Sequence, residues 1–95
     1  MPLETRLWDS ARYLDSAEAV AAYLEAAFET DDPSFITHAF GVVARARGMT
    51  QIAKDAGLSR ESLYRALGEN GNPEFSTVLK VAKALGLRLA VVAAE

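Results

Sequence analysis

The chain has 95 residues, enough for one domain, and with 51% hydrophobic against 24% charged residues it is equipped to bury a core rather than stay disordered. It holds no cysteine, which excludes disulfides, thiolate nucleophiles and thiolate-based zinc sites and fits a reducing, cytoplasmic setting. The formal net charge of −3 conceals two unlike halves: Met1–Gly41 sets eight acids against Arg6 and Arg12, a balance of −6, while Val42–Glu95 sets eight bases against five acids, a balance of +3. An acidic front and a basic back suggest two surfaces with two kinds of partner, the plainer reading being the chance asymmetry of a short chain.

Residues 1–14 carry Leu3, Leu7, Trp8, Tyr13 and Leu14 in an irregular stretch that reads as an N-terminal packing segment. Met1 to Arg6 lacks the basic start and apolar run of a signal peptide. No apolar stretch of the chain approaches the roughly 20 residues that cross a bilayer. A first helix is predicted from Asp15 or Ser16 to near Thr30, with Ala19, Val20, Tyr23, Leu24, Ala27 and Phe28 recurring at three- and four-residue spacing. Asp32 and Pro33 open a second helix as cap and first residue, and Phe35, Ile36, Ala39, Phe40, Val43 and Ala44 carry it to a stop at Gly48. Three short helices follow at 50–56, 59–67 and 76–85, punctuated by Gly57, by the loop Gly68–Pro73 and by Gly86. The apolar, partly β-branched residues 87–93 read as a short C-terminal strand, with a last helical turn as the rival. The expectation is one all-α, five-helix domain over 1–95 ending in that strand.

The apolar pattern changes character over residues 49–68. Ile52, Ala53 and Ala56 fall on one side of a short helix, and Gly57 sits where the chain must turn sharply. Leu58 closes the turn from below, and Leu63 and Ala66 face inward on the next helix. Two short helices crossed over a glycine turn describe a helix-turn-helix. Its outer side holds Ser59, Arg60, Glu61, Tyr64 and Arg65, the spacing with which such a helix offers side chains to base edges in the major groove. Arginine grips guanine bidentately and glutamate accepts from the cytosine amino group. Arg45, Arg47, Thr50, Gln51 and Lys54 are the residues expected at phosphates. The plainer reading of Arg60, Glu61 and Arg65 is a solvated helix face, with Glu61 and Arg65 as a mildly stabilising pair one turn apart. Tyr64 serves packing as readily as DNA contact.

His38 is the only histidine, set in an apolar helical pattern with no nucleophile or carboxylate motif beside it, so a half-buried helix residue is expected and not a base or ligand. No phosphate-cradling glycine loop occurs. Enzyme chemistry, a metal and a cofactor are therefore not expected.

The stretch Gly48–Leu89 resembles the Cro/repressor class of helix-turn-helix proteins, and within it the addiction-module antidote, or antitoxin, branch. The resemblance rests on RARGM (Arg45–Met49), GLSRESLYRAL (Gly57–Leu67), GNP (Gly71–Pro73) and KALGLRL (Lys83–Leu89), with AAYLEAAF and DDPSFITHAFG similar in the front half. It implies a DNA-binding antitoxin that represses its own operon on a palindromic operator and neutralises a small, RNA-cleaving toxin. Carried over by position, Ser59, Arg60, Glu61 and Arg65 fall where the class touches bases. One departure stands at the start of the first motif helix, where many repressors have a phosphate-touching Gln and this chain has Met49, with Thr50 available as an N-cap instead.

For a basic toxin the expected contacts are the acids Glu18, Glu25, Glu29, Asp31 and Asp32, with Trp8 and Tyr13 as aromatic anchors or as core. A homodimer is expected, because two recognition helices about 34 Å apart match one turn of a palindrome. The alternatives are a stand-alone helix-turn-helix regulator and an interaction module that keeps the fold without binding DNA.

Overall fold

The computed structural model describes residues 14–94, which form five helices: α1 (Ala17–Phe28), α2 (Pro33–Arg47), α3 (Met49–Ala56), α4 (Arg60–Ala66) and α5 (Phe75–Ala84). Three of them start where a side chain satisfies amides that a first helical turn leaves open. The Ser16 hydroxyl accepts from the Ala19 N–H at 3.1 Å, and Asp32 Oδ1 accepts from Ser34 and Phe35 at 3.0 and 3.4 Å. Ser59 does the same for α4, accepting from the Ser62 N–H at 3.0 Å. Gly48 serves two helices at once: its N–H donates to Ala44 at 2.9 Å and ends α2, while its carbonyl accepts from Ile52 at 3.0 Å and begins α3.

The central element is α3, which packs on α2, α4 and α5, while α1 lies on α2. Met49, Ile52 and Ala53 from α3 meet Leu63, Leu67, Val81 and Leu85, and Val20, Leu24 and Ala27 extend the same cluster from α1. Burial of such a set of aliphatic side chains, at about 25 cal/mol per Å² of apolar surface, is the main force holding the five short helices together. Leu14 closes the front of the core. Trp8, Tyr13 and the other residues of the expected N-terminal packing segment before Leu14 lie outside the described residues.

The five-helix, all-α expectation holds, and four details differ from the sequence reading. The C-terminal strand at 87–93 is not formed. Gly86 takes a left-handed φ of 82°, Leu87 donates to the Ala82 carbonyl at 2.9 Å, and the chain then leaves the body, with Val91 99% and Val92 86% exposed. A strand needs a neighbouring backbone for its N–H and C=O groups, and among the described residues no strand is present to pair with it. Second, α1 ends at Phe28 and α5 runs from Phe75 to Ala84, each shifted by one or two residues. Third, His38 is exposed rather than half-buried. Fourth, Phe28 and Phe35, expected on inward faces, are 43% and 46% exposed. Among the described residues no helix is long and apolar enough to cross a membrane.

Candidate functional site

The eight residues of α3 divide cleanly. Met49, Ile52, Ala53 and Ala56 are buried, so Thr50, Gln51, Lys54 and Asp55 are left to the outer side, and all four are exposed. The chain then reverses at Gly57, whose φ of 73° and ψ of 30° lie in the left-handed region that a glycine enters without steric cost. Its N–H reaches Lys54 at 3.1 Å, and the Leu58 N–H reaches the Ala53 carbonyl at 2.8 Å, closing the end of α3. Leu58 is half-buried against the core.

On α4 the division repeats. Leu63 is wholly buried and Ala66 half-buried, which turns Arg60, Glu61, Ser62, Tyr64 and Arg65 outward on a helix tethered by a single side chain that fills the core. Ser59 caps the helix and donates its own proton to Ser62 Oγ at 2.8 Å. The structure therefore brings Ser59, Arg60, Glu61, Tyr64 and Arg65 onto one polar surface. It also adds a pairing that the sequence reading did not contain. The Arg60 guanidinium lies over the Tyr64 ring, 5.4 Å from its centroid, with Nη2 3.4 Å from the phenol oxygen. Exposed pairs of this kind contribute about 0.5–1 kcal/mol, which biases the arginine towards this pose without fixing it. The signal was the arginine and tyrosine four positions apart on one helix.

The residues expected at phosphates do not all converge. Lys54 and Thr50 share the outer side of α3 one turn apart, and Gln51 donates from Nε2 to Asp55 at 2.9 Å. Thr50 is not the N-cap: it is the second residue of α3, and Gly48 occupies the capping position without a side chain. The first amides of α3 are thus left without a side-chain acceptor. Arg47 ends α2 directly before that turn. Arg45 is drawn elsewhere, its guanidinium folded back one turn beside Gly41, in a depression shared with Ser34, His38 and Glu69.

The acids expected at a protein partner lie together on the other flank. Glu18, Glu25 and Glu29 are spaced by seven and four residues, which puts them in one exposed stripe on α1, opposite buried Val20, Leu24 and Ala27. Asp31 and Asp32 continue it in the turn to α2, although the Asp32 carboxylate is engaged as a cap. Beside this stripe opens an apolar groove of about 290 Å³ whose walls include Phe28, Ile36, Phe40, Phe75, Val78 and Leu89. Sequence reasoning missed it, since helical periodicity assigns an apolar residue to the core without saying where the core surface lies open. Phe28 and Phe75 stand at a helix end and a helix start, where one side of the ring has no neighbouring turn to cover it. Among the described residues no group of three or more histidines or acids is arranged to hold a metal ion.

Comparison with known proteins adds the following. The family model described as probable addiction module antidote protein matches residues 4–93, a span that takes in all five helices. An uncharacterized protein of Haemophilus influenzae is 50% identical over 84 residues, covering 88% of this chain and 87% of that protein. No solved structure matches the chain.

Proposed function

The chain belongs to the family of probable addiction module antidote proteins, and we propose that it acts there as a DNA-binding antitoxin that represses its own operon. An antidote implies a toxin, and the family points to a regulator rather than an enzyme. In this reading α3, the Gly57 turn and α4 form a helix-turn-helix of the Cro/repressor class, with α4 entering the major groove. Ser59, Arg60, Glu61, Tyr64 and Arg65 address bases. Lys54, Arg47, Thr50 and Gln51 address phosphates together with the open first-turn amides of α3, where the helix dipole favours an anion. Arg45 joins them only by swinging away from Gly41.

The protein works in the cytoplasm as a homodimer on a palindromic operator, and the exposed Val91 and Val92 are surface that such a dimer covers. Its second partner is a small, basic, RNA-cleaving toxin, taken up on the acidic flank. No cofactor is needed.

One observation carries this reading. Buried Leu63 and half-buried Ala66 take the inner side of α4 and leave Arg60, Glu61, Ser62, Tyr64 and Arg65 exposed beside the exposed polar side of α3. The test is binding-site selection from randomised duplexes with wild-type protein, Arg60→Ala and Arg65→Ala. Wild type enriches one palindromic sequence, and each variant relaxes the preference at particular base pairs, losing about 1–3 kcal/mol of discrimination there. A folded wild-type protein that enriches no sequence contradicts the reading and leaves an interaction module.

A further inference from the structure

The groove between α1, α2 and α5 has a wall that is almost wholly apolar, and four exposed acids adjoin its wall residues along the chain. Phe75 is 70% exposed at one edge and Phe28 43% exposed at the other. Patches of this kind on a small domain mark contact surfaces. Glu29 follows Phe28 directly, Asp31 and Asp32 precede Pro33 on the wall, and Glu74 lies between Pro73 and Phe75; all four acids are exposed. Bases border neighbouring depressions: Arg88, with Lys83, shares one with the wall residue Leu89, and Arg65 shares another with Asn72, Pro73 and Glu74. The stripe Glu18, Glu25 and Glu29 runs along α1 to the same mouth, so the acidic field extends beyond the rim.

From this combination we infer that the groove is the docking site for the toxin, taking an apolar side chain of that protein between Phe28 and Phe75 while its flanking lysines or arginines face Glu29, Asp31 and Glu74. The inference rests on the antitoxin reading and locates the surface that performs it. Two features single out a basic protein as the occupant. An apolar pocket ringed by charge is the arrangement in which a buried anchor supplies affinity and the ring excludes water. Carboxylates on the rim both speed the approach of a cationic partner and reject an acidic one. The groove's wall includes none of the outward residues of α4, although Ser62 and Arg65 share a neighbouring depression with Asn72, Pro73 and Glu74.

The experiment uses the full chain and, as probe, the purified growth-arresting product of the reading frame adjacent to its gene. Affinity is measured by calorimetry for wild type, Phe75→Asp, Phe75→Leu and Glu29→Lys, with thermal melts, duplex-DNA binding and oligomeric state recorded on the same samples. Phe75 and Glu29 are exposed, so their variants keep the fold. Phe75→Asp weakens toxin binding at least tenfold, Phe75→Leu stays within threefold of wild type, and Glu29→Lys weakens it several-fold, most at low salt. DNA binding is unchanged in all three.

Toxin affinity unchanged in Phe75→Asp overturns the inference. If that variant instead turns a dimer into a monomer, a second copy of the chain fills the groove. If it instead exposes residues 1–13 to protease, the chain's own start fills it. Each of these results, with toxin affinity intact, also overturns it. A wild-type protein that neither binds nor neutralises the probe defeats the antitoxin reading itself, and that result is distinct from equal binding by wild type and Phe75→Asp.

Discussion

The outer side of α3 and α4 and the groove bounded by α1, α2 and α5 rest on one core yet differ in every surface property. On the first, each exposed position is polar, the bases Lys54, Arg60 and Arg65 are prominent, and the single aromatic, Tyr64, is occupied by Arg60. On the second, aromatic and aliphatic side chains stand open to solvent, and the acids Glu29, Asp31, Asp32 and Glu74 adjoin them along the chain. The difference has a structural origin. Helices α3 and α4 are eight and seven residues long; α3 buries its whole apolar stripe, and α4 buries Leu63 and half-buries Ala66, leaving Tyr64 as its one exposed ring. Longer α1 and α2 carry more apolar residues than the core can cover, and the surplus, Phe28 and Phe35, is displayed. A phosphate-lined duplex suits the first surface and a folded protein suits the second.

Mutations that strike the shared core should erase this contrast, and mutations at one flank should sharpen it. The largest effect is expected from Leu63→Ala. Leu63 is fully buried and is the main anchor of α4, so its truncation should lower stability by about 2–5 kcal/mol. Thermal denaturation reads this directly, and both DNA and toxin binding fall with the fraction folded. Smaller and more discriminating is the pair Ser59→Ala and Ser16→Ala. Both remove a capping hydroxyl of the same kind and each should cost about 1 kcal/mol in the melt. Ser59→Ala should in addition weaken operator binding beyond its effect on stability, because it loosens the start of α4, whereas Ser16→Ala should leave operator binding unchanged. Equal effects of the two on DNA would mean that the cap matters only for folding and that α4 is not the reading element.

Much of this architecture was legible in the residues. Asp32-Pro33, Gly48 and Ser59 announced helix boundaries because each supplies a specific local interaction, and the αL turn at Gly57 followed from the one residue type that enters it freely. The outward set on α4 followed from Leu63 and Ala66 facing in. What stayed hidden depends on contacts between elements. Residues 87–93 have the alternation of a strand, but strand formation is a property of two backbones and no second one was encoded locally. Thr50 looked like a cap because its side chain suits the role, yet Gly48 already closed α2 and served α3 in the same step. Arg45 sat in a basic cluster along the sequence and was drawn away by the space beside Gly41. The groove arises only when Phe28, Ile36 and Phe75, from three helices, are brought around one opening.

The measurement that bears most directly on the central claim is the affinity of wild-type protein for its own upstream duplex and for a scrambled duplex of equal length, taken across a salt series. Affinity for both should fall linearly on a log–log plot, as cations released from phosphates require, while the native sequence stays at least about a thousandfold tighter throughout. Equal affinity for the two duplexes, or binding indifferent to salt, would contradict the assignment of the α3–α4 surface to DNA.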